Sequence, residues 1–491
     1  MSLIGIDLGT TACKVVAFSD EGNILAEYRK EVPVHRPGPN MAEQDPLEWW
    51  NIVYEGLLKV TKGLAVPPEA IGVTGQRESP VFLNEKGEVV HNSILWMDRR
   101  GSEIVEKLRE QVGDELIKRT GVPPDPTFSV AKIGWLVEKK PEVARKVARV
   151  LFPVDYIVWK LTGVAATVPS MAYRTMLYDF RKKSWIEEWV SLLRIPLEWL
   201  PDVKPELFRD ITLKEELAKK LNTKRIPIIN AGGDRAAEGV GASCLKNMDT
   251  HVAMGTAHTT AVVLDEPKTV ITFPCGPHVI PDKYLLEAGM GPMGATFEWI
   301  HNLLNLDISE MNKLALESIN TELPLFLPFA GGSRIRGISK PAGTFMFLSL
   351  SHNKRDIQLA TSVGIACEHR AALELLAEYG LKIETLKAVG GNATSENWLN
   401  LFAAVTGKIT KRMKNYKRTS SLGAAIIAGI AIDKWKNVEQ ASRDMCSEEL
   451  SISPEVNPKV KNVLENFYEK YKKYVHVIGF DETSKVEFPR I

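Results

Sequence analysis

Near the amino end, Asp7-Leu8-Gly9-Thr10-Thr11 joins two apolar runs. Gly9 in such a tight turn would let backbone N–H groups approach an anion with no side chain in the way. The hydroxyls of Thr10 and Thr11 add donors, and Lys14 adds a cation on the returning run. Asp7 repels a phosphate directly, but it can hold Mg2+, and the metal then bridges to phosphate oxygens. The plainer alternative is an ordinary hairpin with a solvated Asp. A second Gly-Thr pair, Gly255-Thr256, stands 246 residues further on, half the chain length, where it would clamp the far side of the same phosphate chain. Neither site has the Gly-x-x-x-x-Gly-Lys-Ser/Thr spacing of a P-loop.

Three further segments carry chemistry. Gly390-Gly391-Asn392 follows a short apolar run and precedes a helical pattern over 398–405. Bare glycines there let a base or ribose lie on the backbone while the helix start supplies donors; alone, the segment would read as a packing turn. Asp234 ends the run Ile226-Pro227-Ile228-Ile229-Asn230-Ala231-Gly232-Gly233 and precedes a helix expected over 236–242. A carboxylate so placed suits the base that takes the proton of an attacking alcohol, a role compatible with capping that helix. Gln76-Arg77-Glu78 follows the run Ile71-Gly72-Val73-Thr74-Gly75 and offers a polyhydroxylated ligand donors and an acceptor together, or else forms a solvated ion pair. Trp96-Met97-Asp98-Arg99-Arg100 reads as the start of a helix capped by Asp98, bracing that loop. His258, beside Thr256, reads as a structural hydrogen-bonder, and the nine histidines show no metal spacing.

These residues need elements to hold them. The apolar runs around Gly9, with a third run over 24–28 after the turn Asp20-Glu21-Gly22-Asn23, predict a three-stranded meander. Asp45-Pro46-Leu47-Glu48 has the carboxylate cap, N1 proline and N3 glutamate of a helix start, and Trp49, Ile52, Val53, Leu57 and Val60 continue it at helical spacing. Strands and helices alternate from there, the pattern of a layered α/β domain. Because the Gly-Thr hairpin recurs at the head of each half, the chain is expected to form two similar α/β domains, 1–245 and 246–491, facing each other across a cleft. An amphipathic helix over 457–475 would lie on a domain surface.

Composition excludes several classes. The chain has 491 residues, 44% hydrophobic and 25% charged, which suits globular domains and argues against long disorder. With 62 Lys+Arg against 61 Asp+Glu, the net charge of +1 leaves no cationic excess for nucleic acid. The start lacks a basic leader, and the longest stretch free of Asp, Glu, Lys and Arg, 250–264, falls short of the roughly 18 residues of a membrane span. Five scattered cysteines read as reduced core thiols. A cytoplasmic protein without membrane or nucleic-acid partners is expected.

Together these motifs resemble the FGGY carbohydrate kinase family, of the actin and hexokinase superfamily. The resemblance runs through Gly5-Ile6-Asp7-Leu8-Gly9-Thr10-Thr11, Glu43-Gln44-Asp45-Pro46, Gly75-Gln76-Arg77-Glu78 and Trp96-Met97-Asp98-Arg99-Arg100. It continues with Asp155-Tyr156-Ile157 and Leu161-Thr162-Gly163, then Gly233-Asp234, Gly255-Thr256, Leu327-Pro328-Phe329, Gly390-Gly391-Asn392 and Leu422-Gly423-Ala424-Ala425. It implies two ribonuclease-H-like domains with Mg2+-ATP between them. By that resemblance Asp7 is the metal-associated acid; Gly9, Thr10, Thr11, Lys14, Gly255 and Thr256 serve the phosphates; Gly390, Gly391 and Asn392 serve the adenosine; and Asp234 is the base. Gln76, Arg77, Glu78, Asp234 and Arg235 would bind the carbohydrate, the first motif being most similar to the glycerol kinase branch. Two residues depart from that branch: Thr127 replaces a Tyr that packs on glycerol, and Arg235 replaces a Gln. A smaller wall at 127 predicts a polyol, ketose or sugar acid longer than three carbons, while Arg235 would pair with a substrate carboxylate or with Glu238. Homodimers are common among such kinases, and the chain carries no legible interface signal. A chaperone-like or actin-like ATPase would not need Gln76-Arg77-Glu78 or Asp234-Arg235, and a non-catalytic sugar sensor would have lost Asp7 or Asp234.

Overall fold

A computed structural model describes residues 2–305, 316, 319, 323–333, 336, 338 and 341–476. Two compact units form. The first comprises Met1–Leu245, Leu264–Leu285 and Arg418–Cys446; the second comprises Lys246–Val263, Leu286–Lys417 and Ser447–Ile491. The chain is therefore not parted by one cut near residue 245, because two later segments join the first unit.

In the first unit the meander forms as its pattern predicts, with strands Ser2–Leu8, Ala12–Ser19 and Ile24–Glu31. Its first strand also pairs in parallel with Ile71–Gly75, which pairs in parallel with Ile228–Gly233. The register sets Asp7 opposite Lys14 on one side and Thr74 on the other. Every residue of Ser2–Leu8 and Ile71–Gly75 is buried, so both faces of the sheet must be covered. Helix Pro46–Lys62 lies against the meander; Asp45 caps it by accepting from the Leu47 N–H, and Trp49, Ile52, Val53, Leu57 and Val60 are buried. Helix Thr419–Ala431 packs on the strands Ser2–Leu8 and Ile71–Gly75 and on helix Asp234–Gly241.

That late helix explains the division of the chain. Its sequence, TSSLGAAIIAGIA, is small or aliphatic on all sides, and a helix without a polar face needs cover all round. Glycines bring the backbones together: a Cβ on Gly5 would lie 1.8 Å from Ser421 O, one on Gly72 2.0 Å from Ala424 O, and one on Gly423 1.8 Å from Ala237 O.

In the second unit, strands His258–Leu264, Thr250–Met254, Thr385–Val389, Ile409–Met413 and Glu448–Ile452 lie side by side in that order. Thr250–Met254 and His258–Leu264 form the antiparallel hairpin, and two parallel strands follow on the free edge of Thr250–Met254. The first unit has the same plan, a hairpin whose first strand begins a parallel set. Helix Lys354–Glu378 starts with a capping box of Asn353 and Asp356 and packs against helices Glu396–Thr406 and Pro458–Val475. The last of these is the amphipathic helix read from the sequence, burying Val460, Leu464, Phe467 and Tyr471. All five cysteines are free thiols, and no helix among the described residues is long and apolar enough to cross a membrane.

Candidate active site

The first hairpin turns at Gly9, whose N–H donates to Ala12 O at 3.1 Å. A Cβ there would approach the same oxygen to 2.9 Å, so a side chain would crowd the turn. Asp7 is buried, and its Oδ2 accepts from Lys14 Nζ at 3.2 Å, which balances the acid and holds the cation beside the turn. Thr10 and Thr11 part company. The Thr10 hydroxyl accepts from Trp96 Nε1 at 2.9 Å and lies 3.4 Å from Gln76 Oε1, whereas Thr11 is exposed. Gln44 ties this together: its Nε2 donates to Thr10 O at 2.7 Å, and its Oε1 accepts from Gln76 Nε2 at 2.9 Å and from Trp49 Nε1 at 3.1 Å. Gln44 and Trp96 thus join the turn to the Gln76-Arg77-Glu78 motif. Sequence reasoning missed the part of Gln44, whose only signal was its place in Glu43-Gln44-Asp45-Pro46.

Strand Ile228–Gly233 delivers Asp234. Gly233 stands at the cap position and Asp234 is the first helical residue, so the acid does not cap its helix as expected. Capping would have required the acid one residue earlier; instead Oδ1 accepts from the N–H of Arg235 at 2.8 Å. Arg77 Nε lies 3.7 Å from both Asp234 Oδ1 and Glu78 Oε1. Gly233 makes the crossing possible, since a Cβ on it would fall 2.0 Å from Arg77 Cδ. Burial pushes the Asp234 carboxyl up to about 6, against the pull of Arg235 and Arg77 and with the help of Glu238 and Asp7. Its side chain still keeps 27% of its surface exposed. A partly open carboxylate that ionises near neutrality is what a general base requires.

Gln76, Arg77 and Glu78 are all buried, not on a solvated loop. Arg174, which the sequence reading passed over, donates through Nε to Glu78 Oε1 at 2.5 Å and faces the rings of Phe128 and Tyr173 at 4.9 and 5.5 Å. Its signal was a lone cation inside the apolar run Met171-Ala172-Tyr173-Arg174-Thr175-Met176-Leu177. Arg235 pairs with Glu238 at 2.7 Å. Thr127 is buried in a loop held by Lys132, whose Nζ donates to the carbonyls of Pro126, Thr127 and Phe128. Burial pulls Lys132 down to about 7 although Glu78 and Asp125 oppose it.

The segment 96–100 is not a helix start. The helix begins at Ser102 after Gly101. Asp98 accepts from the Ala42 N–H at 2.7 Å and takes Arg100 through both oxygens, and Arg100 also meets Glu43 at 2.7 Å. A buried carboxylate with those partners gains more than a cap would supply. Arg99 pairs with Asp125 at 2.8 Å, so the segment braces the loop before Thr127.

In the second unit the turn Gly255-Thr256 joins its two strands, with Thr256 exposed. The Ala295 N–H donates to Thr256 O at 3.0 Å, and a Cβ on Gly294 would meet Gly255 O at 1.9 Å. Gly390 has φ +96° and donates to Tyr416 O at 2.7 Å. A Cβ on it would come within 2.8 Å of Met254 O, whereas one on Gly391 would have open space, so the backbone there is accessible. Asn392 Nδ2 lies 3.4 Å from His258 Nε2, and His258 Nδ1 lies 3.1 Å from His369 Nε2. His258 is thus a structural hydrogen-bonder that links the turn to the Asn392 loop. Asp7, Gly9, Thr10, Thr11, Lys14, Gln76, Arg77, Glu78, Asp234 and Arg235 lie in the first unit; Gly255, Thr256, Gly390, Gly391 and Asn392 lie in the second.

Known proteins share this plan. Residues 2–241 match the N-terminal domain model, and residues 250–432 the C-terminal domain model, of the FGGY family of carbohydrate kinases. The chain is 32% identical to the glycerol kinase of Aquifex aeolicus, over 96% of this chain and 97% of that protein. It is 26% identical to the xylulose kinase of Escherichia coli, over 89% and 91%. Among solved structures, the ligand-bound xylulose kinase of Lactobacillus acidophilus aligns with a TM-score of 0.87 and 25% identity, over 97% of this chain and 98% of that one. With both family domains matched in order along its two halves, the chain belongs to the FGGY family of carbohydrate kinases.

Proposed function

We propose that this carbohydrate kinase transfers the terminal phosphoryl group of ATP to a terminal hydroxyl of a neutral polyol or ketose longer than three carbons. Asp234 takes the hydroxyl proton, and the observation that carries the reading is the placement of this partly exposed carboxyl at the end of its strand, 3.7 Å from Arg77, which stands equally near Glu78. Gln76, Arg77 and Glu78 orient the acceptor. Gly9, Thr11, Lys14, Gly255 and Thr256 serve the phosphates, Thr10 supports the first turn, and Gly390, Gly391 and Asn392 serve the adenosine. The neutrality of the acceptor follows from the local charges. Arg77, Arg174 and Arg235 meet Glu78, Asp234 and Glu238, so no guanidinium of this group is left to call for a substrate carboxylate. The length rests on Thr127, a small buried residue beside Phe128, whose ring faces the Arg174 that donates to Glu78.

Among the described residues no three His, Cys, Asp or Glu side chains gather into a metal cage. A single buried carboxylate, Asp7, beside an anion-binding turn fits Mg2+, which keeps its waters and takes most of its ligands from phosphate. Bound there, the ion would neutralise charge on the phosphoryl oxygens. The free thiols suit a reducing cytoplasm. Acceptor-dependent ADP release, measured with purified enzyme over glycerol, pentitols, ketopentoses, ketohexoses and aldonates, tests the proposal. The highest kcat/KM is expected for a neutral acceptor of five or six carbons. Glycerol far above every longer compound would overturn the length, and an aldonate in first place would overturn the neutrality.

A further inference from the structure

Strand Ile228–Gly233 loses its regular register against Ile71–Gly75 between Asn230 and Gly233. Such a bulge re-aims the next side chain, but it also costs ladder hydrogen bonds, so its backbone groups need other partners. Gly232 sits in the bulge at φ +68°. Its N–H donates to Asn230 Oδ1 at 3.0 Å, and its carbonyl accepts from Thr74 Oγ1 at 2.8 Å. Asn230 Nδ2 in turn donates to Asp155 Oδ1 at 2.7 Å. Asp155 is fully buried in helix Pro153–Thr162 and has no cation among the charges that influence it.

The chemistry of this chain of contacts is directional. Burial pushes the Asp155 carboxyl up to about 7, but an oxygen that accepts remains in either protonation state, and the accepting Oδ1 matches the amide orientation of Asn230 in which the NH2 faces Asp155. Only that orientation turns the Asn230 oxygen toward the Gly232 N–H; the flipped amide would set donor against donor. We infer that Asp155 is a positioning residue which, through Asn230 and opposite Thr74, locks the bulge that carries Asp234. The inference rests on Asp234 as the base of the proposed reaction. A base misplaced by about 1 Å can lose on the order of 100-fold in rate.

Steady-state kinetics of the full chain, with ATP and the best acceptor from the panel, test it. Asp155→Leu is expected to lower kcat about 10- to 100-fold per folded molecule, with KM for ATP and acceptor within about twofold of wild type. Asp155→Asn, which keeps an acceptor oxygen, should recover most of that loss. Thr74→Val, which removes the bond on the opposite side and keeps the shape, should lower kcat in the same pattern and serves if Asp155→Leu does not fold. Wild-type kcat in Asp155→Leu or Thr74→Val, or a loss explained wholly by unfolded protein, would overturn the positioning role. Turnover surviving in Asp234→Asn would instead remove the base, whatever Asp155→Leu does.

Discussion

Asp234 is held in a costly state. Its carboxyl titrates near 6 and not at the ordinary 3.8, because burial disfavours its charge more than Arg235 and Arg77 favour it. Two expectations follow. The kcat/KM of the wild type should rise with pH and reach half its plateau near pH 6, as the base loses its proton. The same raised value means that the folded chain binds this proton more tightly than the unfolded one. The stability it adds is full below pH 3.8 and lost as pH climbs through 6, so at pH 7 the ionised acid is a burden. Asp234→Asn should therefore lower kcat by about 100- to 10,000-fold with little change in KM for ATP, yet raise Tm at pH 7. That Tm gain should vanish below about pH 4, and calorimetry across pH reads it directly. Thr127 belongs to the same scale. Its hydroxyl is buried without a hydrogen-bond partner, so its value to the fold is small and its size is what matters. Thr127→Tyr should raise KM about tenfold or more for the favoured long acceptor, corresponding to about 1.4 kcal/mol, while KM for ATP holds. An unchanged acceptor preference would place the wall elsewhere.

Among the elements, helix Thr419–Ala431 is the one whose failure would be felt most widely. Gly423 lets it touch helix Asp234–Gly241 backbone to backbone, with Ala237 O only 1.8 Å from where a Cβ would stand. Nothing flexible can yield there, so Gly423→Ala should cost about 1–3 kcal/mol or more from overpacking. A lower Tm, together with lower kcat because helix Asp234–Gly241 begins at the proposed base, would be the expected result; an unchanged Tm would contradict the close contact. Elements that rest on local rules were legible from residues alone. Asp45-Pro46 carries its own cap, Gly9 and Gly255 mark tight hairpins, and the spacing of Val460, Leu464 and Tyr471 repeats at a helical period. Where a distant partner decides, local rules misled. Asp98 looks like a cap but is taken by Arg100 and the Ala42 N–H, and Asp234 moves one place into its helix because Gly233 must admit Arg77.

For the whole molecule, the division of the chain predicts how fragments behave. Residues 1–245 alone would leave uncovered the face of Ser2–Leu8 and Ile71–Gly75 that Thr419–Ala431 buries, an apolar sheet surface with backbone-deep grooves at Gly5 and Gly72. That fragment is expected to aggregate or to lack cooperative unfolding, and co-expressed residues 418–446 should improve its solubility. A fragment 1–245 that unfolds cooperatively on its own would contradict this. Sequence by itself determined the family, both Gly-Thr hairpins, the candidate base and the residues that flank it, because each rests on contiguous residue types: glycine where backbones turn tightly, a carboxylate at a strand end. Only the tertiary structure decided that Arg174 and Gln44 join the candidate site, and that a helix from the last hundred residues completes the first unit. The physical reason is common to all three. Charge pairing and backbone-close packing are settled between residues distant in sequence, and no local spacing encodes which of many possible partners a buried group will meet.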